Sequence, residues 1–308
     1  MYYQLKLSAI SIMTVSVLSM TPYMASHAFA AEETPIIETT ELSTPAVDYA
    51  LMETFMSNLS SNERGRPSIA YAAARENGAG FFSHYETQLV AVDVEALSED
   101  DQLAYWLNLQ NFLVVKAVTL DTKKTNLKSL RGTAKKPGKM WTKDRVTIGG
   151  QSYSIADIEA KITSNFKDPN VIYGLYQGVK GGPCLSSKPY EGATVTARLA
   201  ELGAHYVNSR GIVTPNKSVV TLTPIYDWHK AALFDGEDAA ILRHVKAHAS
   251  TNLRGRLNRG TRVEYTKLNY VTDSFDPKKQ VQGVKKRAPQ QQRAPQTRVP
   301  SGGGSYGS

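Results

Sequence analysis

A thiol, an imidazole and a group that orients the imidazole make a nucleophilic site, and this 308-residue chain has candidates for each. Its single cysteine is Cys184, His229 follows Asp227 by two positions, and Asn108 and Asn111 lie three apart. A thiolate attacks, a histidine takes and returns the proton, and a carboxylate or amide holds the ring, so the set suits a thiol-dependent hydrolase or transferase. Asp227, read as lying on a strand two positions before His229, is set aside as the orienter in favour of Asn108 or Asn111. The candidate catalytic residues are therefore Cys184, His229, Asn108 and Asn111. The competing reading is plain: one cysteine among six histidines makes chance combinations easy, and a cysteine whose pKa is not lowered is a small apolar filler.

His244 and His248 stand at i and i+4, a spacing that can put two imidazoles on one metal. No glutamate lies between them as in HExxH, and a histidine near a helix C-terminus is favoured by the dipole alone. They read as structural, and neither a metal nor a cofactor is expected. The chain has no P-loop, no GxGxxG and no GxSxG.

The two asparagines sit on the clearest element. Ser98-Glu99-Asp100-Asp101 is a capping-box pattern, and the run that follows to Leu120 is apolar on nearly all sides, which predicts a central buried helix. Amides on such a helix must find partners; they either tie it to loop backbone, the commoner case, or line a site. Short helices are expected over 46–58 and 70–78. Gly149-Gly150 predicts a hairpin over 145–155, Ser154 to Asp157 caps a helix to about Asn165, and 192–207 is helical. A second hairpin turns at Pro215-Asn216-Lys217, a helix runs from Gly236 to Ala249, and 261–271 reads as a last strand. Residues 166–190, which carry Cys184, read as a strand at Val171, Ile172 and Tyr173 running into an exposed, glycine-bearing loop.

Composition places these elements. Lys6, an apolar run from Leu7 to Met20 and Ala28-Phe29-Ala30 form a signal peptide over 1–30, which predicts an extracytoplasmic protein, periplasmic or secreted, with no transmembrane anchor. Residues 31–45 are a flexible lead-in. From Lys278 onward seven basic residues meet no acid among Pro, Gln, Gly and Ser, so 277–308 is expected to be a disordered basic tail. Residues 31–120 hold fourteen acids against four bases, whereas 121–145 hold nine bases against two acids. That loop is a solvated basic patch or, more sharply, an anion-binding rim with Trp141 as a stacking face; charge alone does not select nucleic acid.

DQLAYWLNLQNFLVVKAV, IGGQSYSIADIE, the Asp168-Pro169 segment and Thr223 to Trp228 occur in an order that resembles domain of unknown function 547, over residues 50 to 272. The family pattern near Asp168 is similar to D-P-x-x-H-F-A-L-x-C followed by S-C-P-P-L. Asp168, Pro169, Leu175, Pro183 and Leu185 match it. Ile172 stands at the histidine, Gln177 at the first cysteine, Gly182 at the second, and Cys184 at the second proline. The resemblance implies no established reaction, and any thiol-and-imidazole chemistry of the family is absent from this stretch here. The expected protein is an α+β single domain over 46–276, with a central buried helix and short antiparallel hairpins. Its expected role is non-catalytic, as a binding or scaffold domain of the cell envelope whose tail and 121–145 loop meet an anionic envelope polymer. Catalysis through Cys184 and His229 is the alternative.

Overall fold

The computed structural model describes residues 49, 50, 52–54, 60, 61, 67–209 and 211–275. The signal peptide, lead-in and tail read from the sequence lie outside the described residues. A two-residue pairing of β1 (Ser60–Ser61) with β2 (Ser68–Ile69) precedes two helices, α1 (Tyr71–Asn77) and α2 (Ala79–Val90), that meet at Gly78. A Cβ at Gly78 would lie 2.4 Å from the Ala74 carbonyl oxygen, so only glycine lets the two helices join so tightly.

Helix α3 (Glu99–Leu120) starts where the sequence says it should: Ser98 Oγ accepts from the Asp101 N–H, and three acids occupy the first turn, where the helix dipole favours them. From Leu103 to Thr119 every residue but Lys116 is buried, and Lys116 reaches Glu86 on α2. A helix without a polar face has to be surrounded. It packs against α1, against α6 (Ile155–Asn165) and against α7 (Val195–Asn208).

Between α3 and α6 the basic stretch folds into two one-turn helices, α4 (Lys128–Arg131) and α5 (Lys139–Thr142), and then the β3 (Asp144–Ile148) and β4 (Gln151–Ser154) hairpin. Gly149 and Gly150 both take positive φ, 55° and 80°, as a two-residue hairpin turn requires. Ser154 and Asp157 form the reciprocal capping box that starts α6. After α7, β5 (Val213–Asn216) pairs antiparallel with β6 (Val219–Leu222); four helices follow, α8 (Ile225–Trp228), α9 (Lys230–Leu233), α10 (Asp238–His248) and α11 (Thr251–Leu257). The last strand, β7 (Arg262–Tyr265), returns to lie parallel beside β6. The architecture is α+β, with small sheets around a mainly helical core. No helix among the described residues is long and apolar enough to cross a membrane.

Two expectations need correction. Residues 169–173 form a 3₁₀ turn, not a strand: Pro169 opens it and Asp168 Oδ1 accepts from the Asn170 N–H at 2.9 Å. The loop beyond is buried, not exposed. Residues 171–179 and 181–186 are all inside, and a Cβ on Gly174 would meet Leu107 of α3 and Leu199 of α7, each at 2.8 Å. The loop is threaded between two helices, so its apolar residues are core. The segment 266–275 then straps the fold together. Tyr270 and Val271 carbonyls accept from the Leu127 and Lys180 N–H groups; the Thr272 and Asp273 N–H groups donate to Thr125 and Gly178; and the Phe275 N–H donates to Ile69.

Candidate functional site

Both amides on α3 hold loop backbone. Asn108 donates to the Tyr190 carbonyl and accepts from the Tyr190 N–H, both at 2.8 Å, and Asn111 Oδ1 accepts from the Tyr176 N–H at 3.1 Å. Gln110, between them on the next face, donates to the Tyr176 carbonyl at 2.9 Å. These bonds fix the residue that follows Tyr176, Gln177, against α6.

There the chain buries a charged cluster. Glu159 Oε1 on α6 accepts from Gln110 Nε2 at 3.1 Å, Trp141 Nε1 at 3.1 Å and Gln177 Nε2 at 2.9 Å. Its Oε2 lies 3.5 Å from Arg131 Nη2. Arg131, at the end of α4, has no exposed surface; its Nε donates to Gln177 Oε1 at 2.8 Å and its Nη2 donates to the same oxygen. The guanidinium stacks between two indoles, Trp141 at 4.9 Å and Trp228 at 4.3 Å. Isolated, either charge would cost several kcal/mol to bury. Paired and hydrogen-bonded, they form a neutral unit, although burial still pulls the Arg131 pKa below its ordinary value while Glu159 opposes the fall. His229 sits beside them. Burial, reinforced by the Arg131 charge and resisted by Glu159, lowers its pKa to about 4, so the ring is neutral at pH 7.

These groups line a cavity of about 170 Å³ whose walls include Arg131, Trp141, Glu159, Thr163, Trp228 and His229. Two buried polar atoms of its walls, Arg131 Nη1 and His229 Nε2, have no hydrogen-bond partner. A group shielded from water, perturbed by desolvation and by a specific charge, and set in a cavity is the usual physical mark of a functional site.

The residues singled out for thiol chemistry are placed apart. Cys184 lines a different cavity, of about 240 Å³, with Leu185, Ser187, Arg198 and His205, whereas His229 lines the one beneath Trp228. Asn108 and Asn111 serve the backbone. Asp227 is on the one-turn helix α8, not on a strand, and pairs with Lys135 at 3.1 Å. His244 stacks on Tyr173 at 5.5 Å, and His248 Nε2 bonds Asn170 Oδ1 at 2.7 Å. Trp141, read as a surface stacking face, is wholly buried with its N–H on Glu159; the one-turn helices α4 and α5 fold it and Arg131 inward. The sequence reading missed Arg131, Glu159, Gln177 and Trp228. One signal was available: Glu159 falls on the same helix face as Ile155, Ile158 and Ile162, an acid in an apolar stripe.

Residues 94–207 match the model of the family described as "Protein of unknown function, DUF547". That span holds α3, α6, Arg131, Glu159 and Gln177 and stops short of Trp228 and His229. No curated protein matches the chain, and no solved structure does.

Proposed function

We propose that the domain built on residues 94–207, which match that family of unknown function, is a non-catalytic binding module for a small neutral ligand carrying a carbonyl. The observation that carries this reading is the buried Arg131 Nη1, a charged donor beside a cavity with no acceptor in the protein. Leaving such a group unpaired costs about 1 to 3 kcal/mol, which a ligand oxygen would recover. Glu159 already offsets the Arg131 charge, so an anion would bring a second, uncompensated charge into a dry site, and a neutral carbonyl would not. His229 Nε2 offers a further hydrogen bond, and the Trp141 and Trp228 rings supply apolar walls. At about 170 Å³ the cavity is smaller than the roughly 300 to 1,000 Å³ of pockets for drug-sized ligands, which limits the ligand to a few heavy atoms.

The lining contains no cysteine, serine or lysine. Gln177 uses both ends of its amide within the cluster. Titration of indole fluorescence with acetamide, 2-pyrrolidone and acetate tests the reading. A saturable change with the neutral compounds, absent with acetate and weakened in His229→Gln, is expected; saturation by acetate alone, or by none of the three, overturns it. The alternative, a thiol enzyme using Cys184 with His229, requires rapid labelling of Cys184 by iodoacetamide below pH 7. Export to the cell envelope belongs to the same proposal and rests on residues 1–30. N-terminal sequencing of the protein made in its native host should begin at Ala31.

A further inference from the structure

Trp228 borders a second space. On the side of α4 and the 266–270 segment, an open groove of about 470 Å³ is walled by Trp228 and Tyr270, with Lys128, Lys267, Asn126 and Asn269 around it. The Tyr270 hydroxyl is committed to the Gly132 carbonyl at 3.1 Å, which leaves its ring as an apolar wall. The two amides are oriented in the same way. Asn126 Oδ1 accepts from the Lys128 N–H at 3.0 Å and Asn269 Oδ1 from the Val271 N–H at 3.1 Å, so each uses its oxygen on backbone and keeps its NH₂ group available. Lys128 and Lys267 are exposed and in no ion pair among the described residues. No acid lines the groove. Its polar wall is therefore mainly donors, two of them charged, beside two aromatic rings.

We propose that this groove binds a segment of an acidic polysaccharide. A pyranose ring presents C–H bonds of slightly positive charge on its face, and these suit the negative face of an indole or phenol ring. Its hydroxyl and ring oxygens accept from Asn126 and Asn269, and its carboxylates meet Lys128 and Lys267. Nucleic acid would also stack on aromatics, but phosphate is best held by the arginine fork, and the charged groups here are point-charge lysines with amides. The site stands independently of the cavity beneath Trp228, although the two share that ring.

The test is calorimetric titration of the full chain with trigalacturonate, neutral galactotriose and a thymidine trinucleotide. Trigalacturonate should bind with an affinity that falls with salt. Lys128→Ala with Lys267→Ala should weaken it about tenfold, the size expected for two exposed charge contacts. Any contribution of the basic tail is the same in both proteins, so the difference reads the groove. Tighter binding of the trinucleotide, equal binding by the double variant, or no binding of trigalacturonate to a folded protein would each overturn the assignment. Loss of the acetamide response in His229→Gln with trigalacturonate binding intact would separate the two sites.

Discussion

Acid should destabilise this fold through His229, and replacing that residue should remove a defined part of the effect. In the folded protein burial holds the ring's pKa at about 4, against 6.5 when the chain is unfolded. The folded ring stays neutral while the unfolded ring takes up a proton, so the unfolded state binds more protons between these values and stability falls as pH falls. The contribution is complete above pH 6.5 and gone below about pH 4. A fall from 6.5 to about 4 corresponds to about 3 kcal/mol at the acid limit, of which about 2 kcal/mol is lost by pH 5. His229 is only 6% exposed, so solvent screening takes little from this figure. His244, also lowered to about 4 by burial, and His248, likewise lowered by burial, act in the same direction. The substitution leaves both in place. Urea unfolding of the parent and of His229→Gln at pH 7.5 and pH 5.0 isolates the histidine's contribution, since glutamine keeps a polar group and does not titrate. The variant is less stable at pH 7.5, and its further loss on going to pH 5.0 should be smaller than the parent's by about 2 kcal/mol. Equal losses in the two proteins would refute the claim that His229 is buried neutral.

Three further substitutions probe the supports of the site. Asn108→Ala strips both partners from the buried Tyr190 backbone and should cost on the order of 3 kcal/mol, whereas Asn111→Ala, which frees one N–H, should cost about half as much; denaturant midpoints at neutral pH rank them. Glu159→Gln removes the countercharge of a fully buried arginine and should cost about 3 to 5 kcal/mol, read by urea unfolding as a loss far beyond that of an exposed pair such as Lys135 with Asp227. Gly174→Ala pushes a methyl group into Leu107 and Leu199 and should cost about 1 to 3 kcal/mol by overpacking, seen as a lowered thermal midpoint with unchanged secondary structure.

Much of the frame is legible in the residues. Ser98 with three acids before a run lacking a polar face gives α3 its start and its burial; Gly149-Gly150 gives the hairpin; Ser154 with Asp157 gives the start of α6. The failures share a cause. Asp168-Pro169 opens a turn as readily as a strand, because proline fits the first helical position and an aspartate caps it. Val171 and Ile172 reveal only that the place is buried. Helices of four residues, such as α4 and α5, are too short to show a period, so Arg131 and Trp141 read as a solvated loop. Parallel pairing of β7 with β6 is a property of the path between them and leaves no mark on the strand itself. The cluster of Arg131, Glu159, Gln177, Trp141 and Trp228 comes from five separate stretches, each unremarkable alone; only the stray acid on the isoleucine face of α6 hints at it.

The strap of residues 266–275 bears on how the protein is made. Three edges, at Ile69, at Thr125 to Gly132 and at Gly178 to Gly181, wait for hydrogen-bond partners that are among the last described residues to be synthesised. A nascent chain that ends before residue 266 has the cluster's charges but lacks the brace that holds α4 and the 178–181 loop over them. Until the strap is made, those three edges lack their backbone partners and are exposed to pairing with other strands.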